Sequence, residues 1–192
     1  MSSDDRATVL IVDDEPDVVS AYRHWLDDEY EVLVAHGGEE GLEEFHSGVD
    51  VILLDRMMPD LSGDEMLERV RAADHDCQVV MVTAVDPDLD IVEMGFDAYL
   101  TKPIGRDQLF ETVENLLDRA TYDDLLQQYY ALVEKQATLE ATTPRSDLED
   151  RQEYQQLQAE IERVREELSD TLDGFVDDET FVATLRKIDS DL

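Results

Sequence analysis

The sequence is poor in cysteine, in long apolar runs and in positive charge, and each shortage excludes a class of protein. The single cysteine, Cys77, cannot form an internal disulfide and is typical of a cytoplasmic protein. The four histidines have no ligand spacing with one another or with Cys77, so a zinc site is not expected. No run of about 18 apolar residues occurs, so no membrane span is expected. The first residues also lack the layout of a signal peptide.

The shortage of positive charge is extreme. The 192 residues include 15 basic and 50 acidic side chains, for a formal net charge of −35, and only three of the basic residues are lysines. One interpretation is a disordered acidic chain, but 42% of the residues are hydrophobic and lie in patterned runs, which indicates a folded protein. The favoured interpretation is a halophilic protein, because concentrated salt screens such a surface: the Debye length falls to roughly 3 Å at 1 M.

Short apolar runs alternate with amphipathic stretches up to about residue 119. The runs predict strands at 8–12, 31–35, 51–54, 78–82 and 97–100. The stretches between them predict helices near 16–27, 38–47, 62–73, 88–94 and 105–119. Ser62 and Glu65 form a capping box for the third helix, and Gly95 lies where the fourth would stop. The alternation predicts an α/β fold with a parallel sheet covered on both faces.

The pattern changes near residue 120, where apolar residues begin to recur at alternating steps of three and four. This spacing runs from Tyr122 to Leu139 and again from Tyr154 to Phe175, with a break at Pro144. Ser146 and Glu149 form a second capping box. We therefore predict one domain at 1–119 and a helical domain at 120–192. The second would hold an antiparallel hairpin at about 120–141 and 147–175, whose narrow stripes need a partner surface, and a short tail helix at about 177–188.

Side chains suited to chemistry follow the predicted strands at their carboxyl ends. In chain order they are Asp13 and Asp14, Asp55, Thr83 and Ala84, and Lys102 with Pro103. In an open parallel sheet these ends meet at one edge, where sites form. Three carboxylates placed there repel one another unless a cation lies among them, and oxygen ligands with room for water suit Mg²⁺. The backbone carbonyl of Met57 could complete the metal sphere.

Asp55 beside a metal ion can attack a phosphorus centre and form an acyl phosphate. Lys102 would neutralise charge on the transferred group, and the Thr83 hydroxyl could donate to one of its oxygens. Each residue also has a structural interpretation: the acidic pair could cap the helix that opens at Pro16, and Asp55 could cap a strand end. Thr83 could be structural, Lys102 a surface ion pair and Tyr99 ordinary core. The joint arrangement at one sheet edge favours the phosphoryl-transfer site.

The motifs VDDEP, LLDRMMPDLSG, VTA and DAYLTKP occur in the order and approximate spacing of a known family, so residues 7 to about 119 resemble the receiver domain of two-component response regulators. The resemblance implies a flavodoxin-like sheet of strand order 2-1-3-4-5. It implies that Asp55 accepts a phosphoryl group from a sensor histidine kinase, that Asp13 and Asp14 bind Mg²⁺, and that Lys102 contacts the phosphate. The residues matching Thr83 and Tyr99 rearrange together as a switch in that family. The Lys102–Pro103 peptide is a candidate cis bond.

Residues 120–175 resemble the HalX output domain of response regulators from halophilic archaea, on the segments YDDLLQQYYALVEKQATLEA and EYQQLQAEIERVREEL. That family is described as transcriptional, which implies gene regulation as the output. Homodimerisation through the hairpin or a receiver face is a further expectation. Direct DNA binding is disfavoured, because arginines in the second helix lie among glutamates and phosphate contacts need positive charge.

Two alternatives to a transcriptional regulator stay open. One is a protein–protein adaptor or phosphate sink without DNA output. The other is an enzyme, a haloacid-dehalogenase-type phosphatase, which also combines an aspartate nucleophile, a hydroxyl, a lysine and Mg²⁺ on a similar sheet. Such enzymes place the nucleophile after the first strand with a second aspartate two residues on, where this sequence has Glu15. We therefore expect a protein that is not an enzyme.

Overall fold

The computed structural model describes residues 6–73, 75–85, 91–92, 94–149 and 151–176. It divides the chain into two compact units, Met1–Leu117 and Asp118–Leu192. Within the described residues, no helix combines the length and the apolar character needed to cross a membrane.

The first unit is built on a sheet of five parallel strands. The strands are β1 (Thr8–Val12), β2 (Glu31–Ala35), β3 (Val51–Leu54), β4 (Gln78–Thr83) and β5 (Ala98–Thr101). Their order across the sheet is β2-β1-β3-β4-β5. This confirms the flavodoxin-like prediction, with β4 one residue longer than expected and β5 shifted by one residue toward the C-terminus.

Apolar side chains cover both faces of this sheet. The described residues of unit 1 before β5 include three α-helices, α1 (Pro16–Leu26), α2 (Gly38–Glu44) and α3 (Gly63–Ala72). Side chains alternate across a strand, so Val9 and Ile11 of β1 join one core cluster while Leu10 and Val12 join the other. Burial on both faces explains why the central strands read as continuous apolar runs.

The helix ends test three of the sequence predictions. The capping box of α3 is confirmed: the Ser62 hydroxyl accepts from the Glu65 amide at 3.3 Å, and the Ser62 amide donates to the Glu65 carboxylate at 3.2 Å. The N-cap of α1 is Glu15, whose side chain makes no cap bond, and the Asp13 carboxylate accepts a hydrogen bond from the Glu15 amide at 2.9 Å. The helix predicted at 88–94 falls mostly outside the described residues. Gly95, assigned as its stop signal, lies among the described residues and is not helical.

A single long helix, α4 (Arg106–Thr142), contributes to both units and is followed by α5 (Arg145–Glu149) and α6 (Gln152–Val176). The break at Pro144 is confirmed. The second capping box is wrong, because Ser146 lies inside α5, where its hydroxyl donates to Asp147 at 3.2 Å. The second long helix therefore begins at Gln152 and not at 147. The physical reason is burial: the segment makes its own turn, which places Leu148 at 4% exposure. The predicted tail helix at 177–188 lies outside the described residues.

The two long helices run antiparallel within unit 2. The Gln136 side-chain amide donates to the Tyr154 hydroxyl at 3.3 Å, and the Gln128 side-chain amide donates to Glu160 at 3.5 Å. Residue numbers therefore increase along one helix in the direction in which they decrease along the other. The helical hairpin is therefore present. Its core is small: the buried hydrophobic side chains described in unit 2 are Leu148, Tyr154, Val164 and Leu168.

Candidate functional site at the carboxyl edge of the sheet

Sheet register brings the first and third strand ends together. Val12 pairs with Leu54, so the next residue of each strand, Asp13 and Asp55, emerges at the same level. The Asp55 amide donates to the Val12 carbonyl at 2.9 Å, and the Asp13 amide donates to the Ala35 carbonyl at 3.2 Å. Both carboxylates are buried, with 2% of Asp13 and 6% of Asp55 exposed. The backbone ladder therefore fixes two acids in a low-dielectric environment.

Asp14 joins this pair to form an acidic cluster. Asp13, Asp14 and Asp55 each offer a carboxylate oxygen, and these three oxygens lie within 4.8 Å of one another. Oxygen atoms at this spacing match the ligand set that a hard divalent cation prefers, and Mg²⁺ commonly takes one or two carboxylates plus waters. The residues present therefore fit Mg²⁺.

Lys102 supplies the positive charge of the site. Its Nζ lies 2.7 Å from Asp13 Oδ2, 3.6 Å from Asp55 Oδ1 and 3.6 Å from Glu15 Oε1. Burial lowers the pKa of the Lys102 ammonium, but the hydrogen bond to Asp13 and the charges of Asp55 and Asp13 outweigh it and raise the pKa. The amide of Lys102 donates to the Thr83 carbonyl at 2.8 Å, and the Lys102–Pro103 peptide is cis. The segment that directly follows β5 therefore places the Lys102 ammonium at the acidic cluster.

The ionisation of Asp55 is set by its surroundings. Burial raises the pKa of its carboxyl, Lys102 lowers it, and the neighbouring charge of Asp13 raises it again. Hydrogen bonds from the Thr83 side chain and the Arg56 backbone lower it in part. The net result is a raised pKa, so the ionised form of Asp55 is held at a cost in stability that a bound cation would reduce.

Asp55→Asn is therefore expected to raise the melting temperature of the metal-free protein by a few degrees at neutral pH. Because the folded pKa of Asp55 lies above its unfolded value, folding takes up a proton between the two values, and stability falls as pH rises through that window. Thermal unfolding in molar KCl with EDTA, run across pH, measures the difference. Asp28→Asn, at an exposed position, controls for the loss of one surface charge. A melting temperature that is higher for the wild type than for Asp55→Asn at neutral pH would contradict the expectation.

The fourth strand and the fifth contribute a hydroxyl and an aromatic ring. Thr83 is fully buried, and its hydroxyl accepts a hydrogen bond from the Val85 amide at 3.3 Å. The Tyr99 hydroxyl donates to the Val85 carbonyl at 2.7 Å, and its ring centroid lies 5.6 Å from that of Phe96. Tyr99 is therefore partly buried in the core and also tied to the loop after Thr83.

A shallow pocket of about 250 Å³ opens over this cluster. The residues that line it are Asp14, Glu15, Asp55, Met57, Thr83, Ala84, Val85 and Lys102. The sequence-predicted site residues thus meet at one edge. Asp13 and Tyr99 do not line the pocket, but they bond the lining residues Lys102 and Val85. The Met57 side chain is 67% exposed, and Met58 is buried at 8%.

Three residues near the site were missed by the sequence analysis. Glu15 and Val85 line the pocket, and their adjacency to the acidic pair and to Thr83 was an available signal. Tyr22 is buried on α1, and burial raises the pKa of its phenol to about 12, with Lys102 lowering it and Asp13 raising it. Its helix position carried no signal beyond an apolar face, so the sequence analysis did not single it out.

Two family models match the chain. The model of the response regulator receiver domain matches residues 9–114, more than half of the chain. The model of the HalX domain matches residues 118–185. The first match covers every predicted site residue, and the second begins next to the boundary between the two compact units.

Curated relatives agree with these matches over part of their own length. A Haloferax volcanii protein named as a candidate transcriptional regulator is 44% identical over 160 residues, which cover 83% of this chain and 27% of that protein. The transcriptional regulatory protein CpxR of Klebsiella pneumoniae is 36% identical over 140 residues, covering 71% of this chain and 56% of CpxR. The chain thus spans between a quarter and three fifths of the length of these relatives.

Solved structures match the first unit. A CheY-like response regulator receiver domain from Methanospirillum hungatei has 29% identity and a TM-score of 0.57, covering 62% of this chain and 98% of that one. The response regulator TrrA of Thermotoga maritima, in complex with Mg²⁺ and BeF, has 34% identity and a TM-score of 0.52, covering 58% of this chain and 99% of that one. The fold of the first unit is therefore shared with solved structures of response regulators.

Proposed function

The chain belongs to the two-component response regulator family, with a receiver domain followed by a HalX output domain, and on that premise we propose that Asp55 is its phosphoacceptor. The observation that carries the proposal is the cluster of Asp13, Asp14 and Asp55 oxygens within 4.8 Å, with the Lys102 ammonium 3.6 Å from Asp55. A nucleophilic carboxylate, two further acids and one ammonium match the requirements of acyl phosphate formation.

In the proposed reaction an Asp55 carboxylate oxygen attacks the phosphorus atom of the donor. A new P–O bond forms while the bond from phosphorus to the donor breaks, and the donor leaves with the electron pair. In the family the donor is a phosphohistidine of a sensor histidine kinase, which we propose as the partner of this chain. Lys102 and the Thr83 hydroxyl would contact the phosphoryl oxygens, and the small, exposed Ala84 leaves access for the group.

Receiver domains bind Mg²⁺ at an acidic pocket, and we propose that Asp13, Asp14, Asp55 and the Met57 carbonyl hold it in this chain. The ion would supply positive charge beside the transferred group. Lys102 already bonds Asp13 at 2.7 Å, so this acid is oriented before any ligand arrives. The proposed role of Lys102 is therefore both to hold Asp13 in place and to contact the phosphoryl group.

Phosphorylation would be read out through the loop that joins Thr83 to Tyr99. A phosphoryl group near Thr83 adds charge and hydrogen-bond acceptors, and Thr83 is linked through Val85 to the Tyr99 hydroxyl. A shift of Thr83 toward the new group would change its hydrogen bond with the Val85 amide. That change would in turn affect the hydrogen bond between the Tyr99 hydroxyl and the Val85 carbonyl. We propose that Thr83 and Tyr99 form this switch.

The proposed output is regulation of transcription through protein contacts of the helical domain, with residues 1–119 as receiver and 120–192 as output. Direct DNA binding fits poorly with the charges of α6. Arg163 is paired with Glu160 and Glu167, and Arg165 with Glu162, so these arginines are already neutralised. Phosphate-backbone binding would need them free. Self-association through the hairpin or a receiver face belongs to the same proposal.

Incubation with acetyl phosphate and Mg²⁺ in molar KCl tests the acceptor. Intact-mass spectrometry is expected to show one phosphoryl group per chain in the wild type and none in Asp55→Asn. Asp60→Asn is the matched control, since Asp60 is exposed on the loop after β3 and is expected to leave labelling unchanged. Phosphoryl labelling of the Asp55→Asn variant would contradict the proposal. Steady phosphate release over many turnovers would instead indicate a phosphatase.

A further inference from the structure

Unit 2 carries an apolar groove that its own residues do not fill. The groove has a volume of about 600 Å³ and is lined by Ala131, Glu134, Lys135, Thr138, Leu139 and Leu157. Leu139 is 39% exposed there, although it belongs to the three/four stripe of α4. The described part of α4 within unit 2 contributes no fully buried side chain, since those of α4 are Leu109, Val113 and Leu116. The hairpin therefore leaves apolar area uncovered on this side.

The rim of the groove carries one charge of each sign. Glu134 and Lys135 lie next to each other on α4, and among the described residues neither side chain has an ion pair or a side-chain hydrogen bond. The formal charges of the lining residues sum to zero, in a chain whose net charge is −35. A second molecule of the same chain would therefore meet less repulsion here than elsewhere on its surface. The two unpaired charges are also complementary to a copy of themselves.

The spacing along α4 fits a second helix lying against it. Ala131 and Thr138 are seven residues apart, which is two helical turns, so these two small side chains lie on one face. Glu134 and Lys135 lie between them in the sequence, on opposite sides of the line that joins Ala131 and Thr138 along the helix. A two-fold axis parallel to α4 would place Ala131 near its own copy. It would also bring Lys135 of each molecule toward Glu134 of the other, as flanking charges pair in parallel coiled coils.

We propose that the groove lined by Ala131, Thr138 and Leu139 is a two-fold interface between the helical domains of two copies of this chain, closed by reciprocal Glu134–Lys135 ion pairs. The inference rests on the proposed function only in taking unit 2 as the output domain. It needs no phosphoryl group, because the groove is lined entirely by residues of unit 2. Pairing two hairpins would enlarge a core that has four buried hydrophobic side chains among the described residues of one hairpin.

Light scattering in KCl, without a phosphoryl donor, tests the interface on the full chain. The wild type is expected to be a dimer. Ala131→Glu places a charge in the groove and is expected to raise the dissociation constant roughly tenfold or more, by the penalty of burying an unpaired charge. Ala137→Glu is the matched control, because it makes the same change at an exposed position on another face of α4. It is expected to leave the dimer intact, and circular dichroism verifies that both variants fold.

Two further variants test the geometry of the pair. Ala131→Cys is expected to form a disulfide-linked dimer under mild oxidation and Ala137→Cys is not, while native Cys77 is buried and does not interfere. Lys135→Glu is expected to weaken the dimer, and the double variant Glu134→Lys with Lys135→Glu is expected to restore it. A monomeric wild type, equal weakening by both glutamate variants, or no rescue by the double swap would overturn the interface. None of these results depends on Asp55, so the phosphoacceptor proposal can fail or hold separately.

Discussion

Gly63→Ala is expected to destabilise unit 1 by about 3 kcal/mol or more, at the upper end of the cost of overpacking, and to abolish phosphoryl uptake. A Cβ atom on Gly63 would lie 2.1 Å from the Asp55 carbonyl oxygen, 2.9 Å from Arg56 Cα and 3.0 Å from the Asp55 carbonyl carbon. All three are backbone atoms, so no side-chain rotation relieves the clash. The Gly63 amide also donates to the Arg56 carbonyl at 3.0 Å, which holds the two segments together. Relief would therefore move Asp55 away from the acidic cluster.

Two measurements separate the effect on stability from the effect on the site. Denaturant unfolding in molar KCl gives the free energy of unfolding, and acetyl phosphate labelling gives the fraction of chains phosphorylated. Gly95→Ala is the matched control, since its Cβ would meet its nearest atom, the Arg71 Cγ, at an ordinary 3.5 Å. The control is expected to keep both properties near the wild type. Wild-type unfolding and labelling in Gly63→Ala would show that the close approach to Asp55 is absent in solution.

Much of unit 1 follows from local pattern because its sheet is buried on both faces. The short run from Val51 to Leu54 is typical of a buried central strand, and parallel pairing then fixes where Asp55 emerges. The convergence of Asp13, Asp55 and Lys102 follows from topology, because the carboxyl ends of all parallel strands share one edge. For that reason the candidate site was predictable before any distance was known.

Other features depend on tertiary contacts that no local pattern encodes. The bond between Lys102 and Asp13 joins residues 89 positions apart, and the burial and neighbouring charges that shift the pKa of Lys102 come from the whole fold. The start of α6 was misplaced because Ser146 and Glu149 satisfy the capping rule locally, while burial of Leu148 favours a separate turn. Capping preferences amount to about 1 kcal/mol, and burying a leucine contributes about 1.5–3 kcal/mol, so packing decides the boundary.

Lowering the salt concentration is expected to unfold the protein in two steps, with unit 2 losing its structure first. At a net charge of −35, self-repulsion opposes any compact state, and the Debye length grows from about 3 Å at 1 M salt to about 30 Å at 0.01 M. Burial of apolar surface must offset that repulsion. Unit 2 has four buried hydrophobic side chains among its described residues, whereas unit 1 has one core cluster on each side of its sheet. Unit 2, which has the smaller core, should therefore unfold at a higher salt concentration than unit 1.

The chain provides a separate probe for the first unit. Its single tryptophan, Trp25, lies on α1, packs against one core cluster of unit 1 and has its ring centroid 5.5 Å from that of Tyr22. As KCl is diluted, far-UV circular dichroism should lose helical signal before the Trp25 emission shifts, and returning to molar KCl should restore both. Sucrose is the control, because it strengthens burial without screening charge and should rescue the fold less than KCl does. Coincident transitions, or a chain that stays folded in dilute buffer, would show that core size does not set the salt requirement.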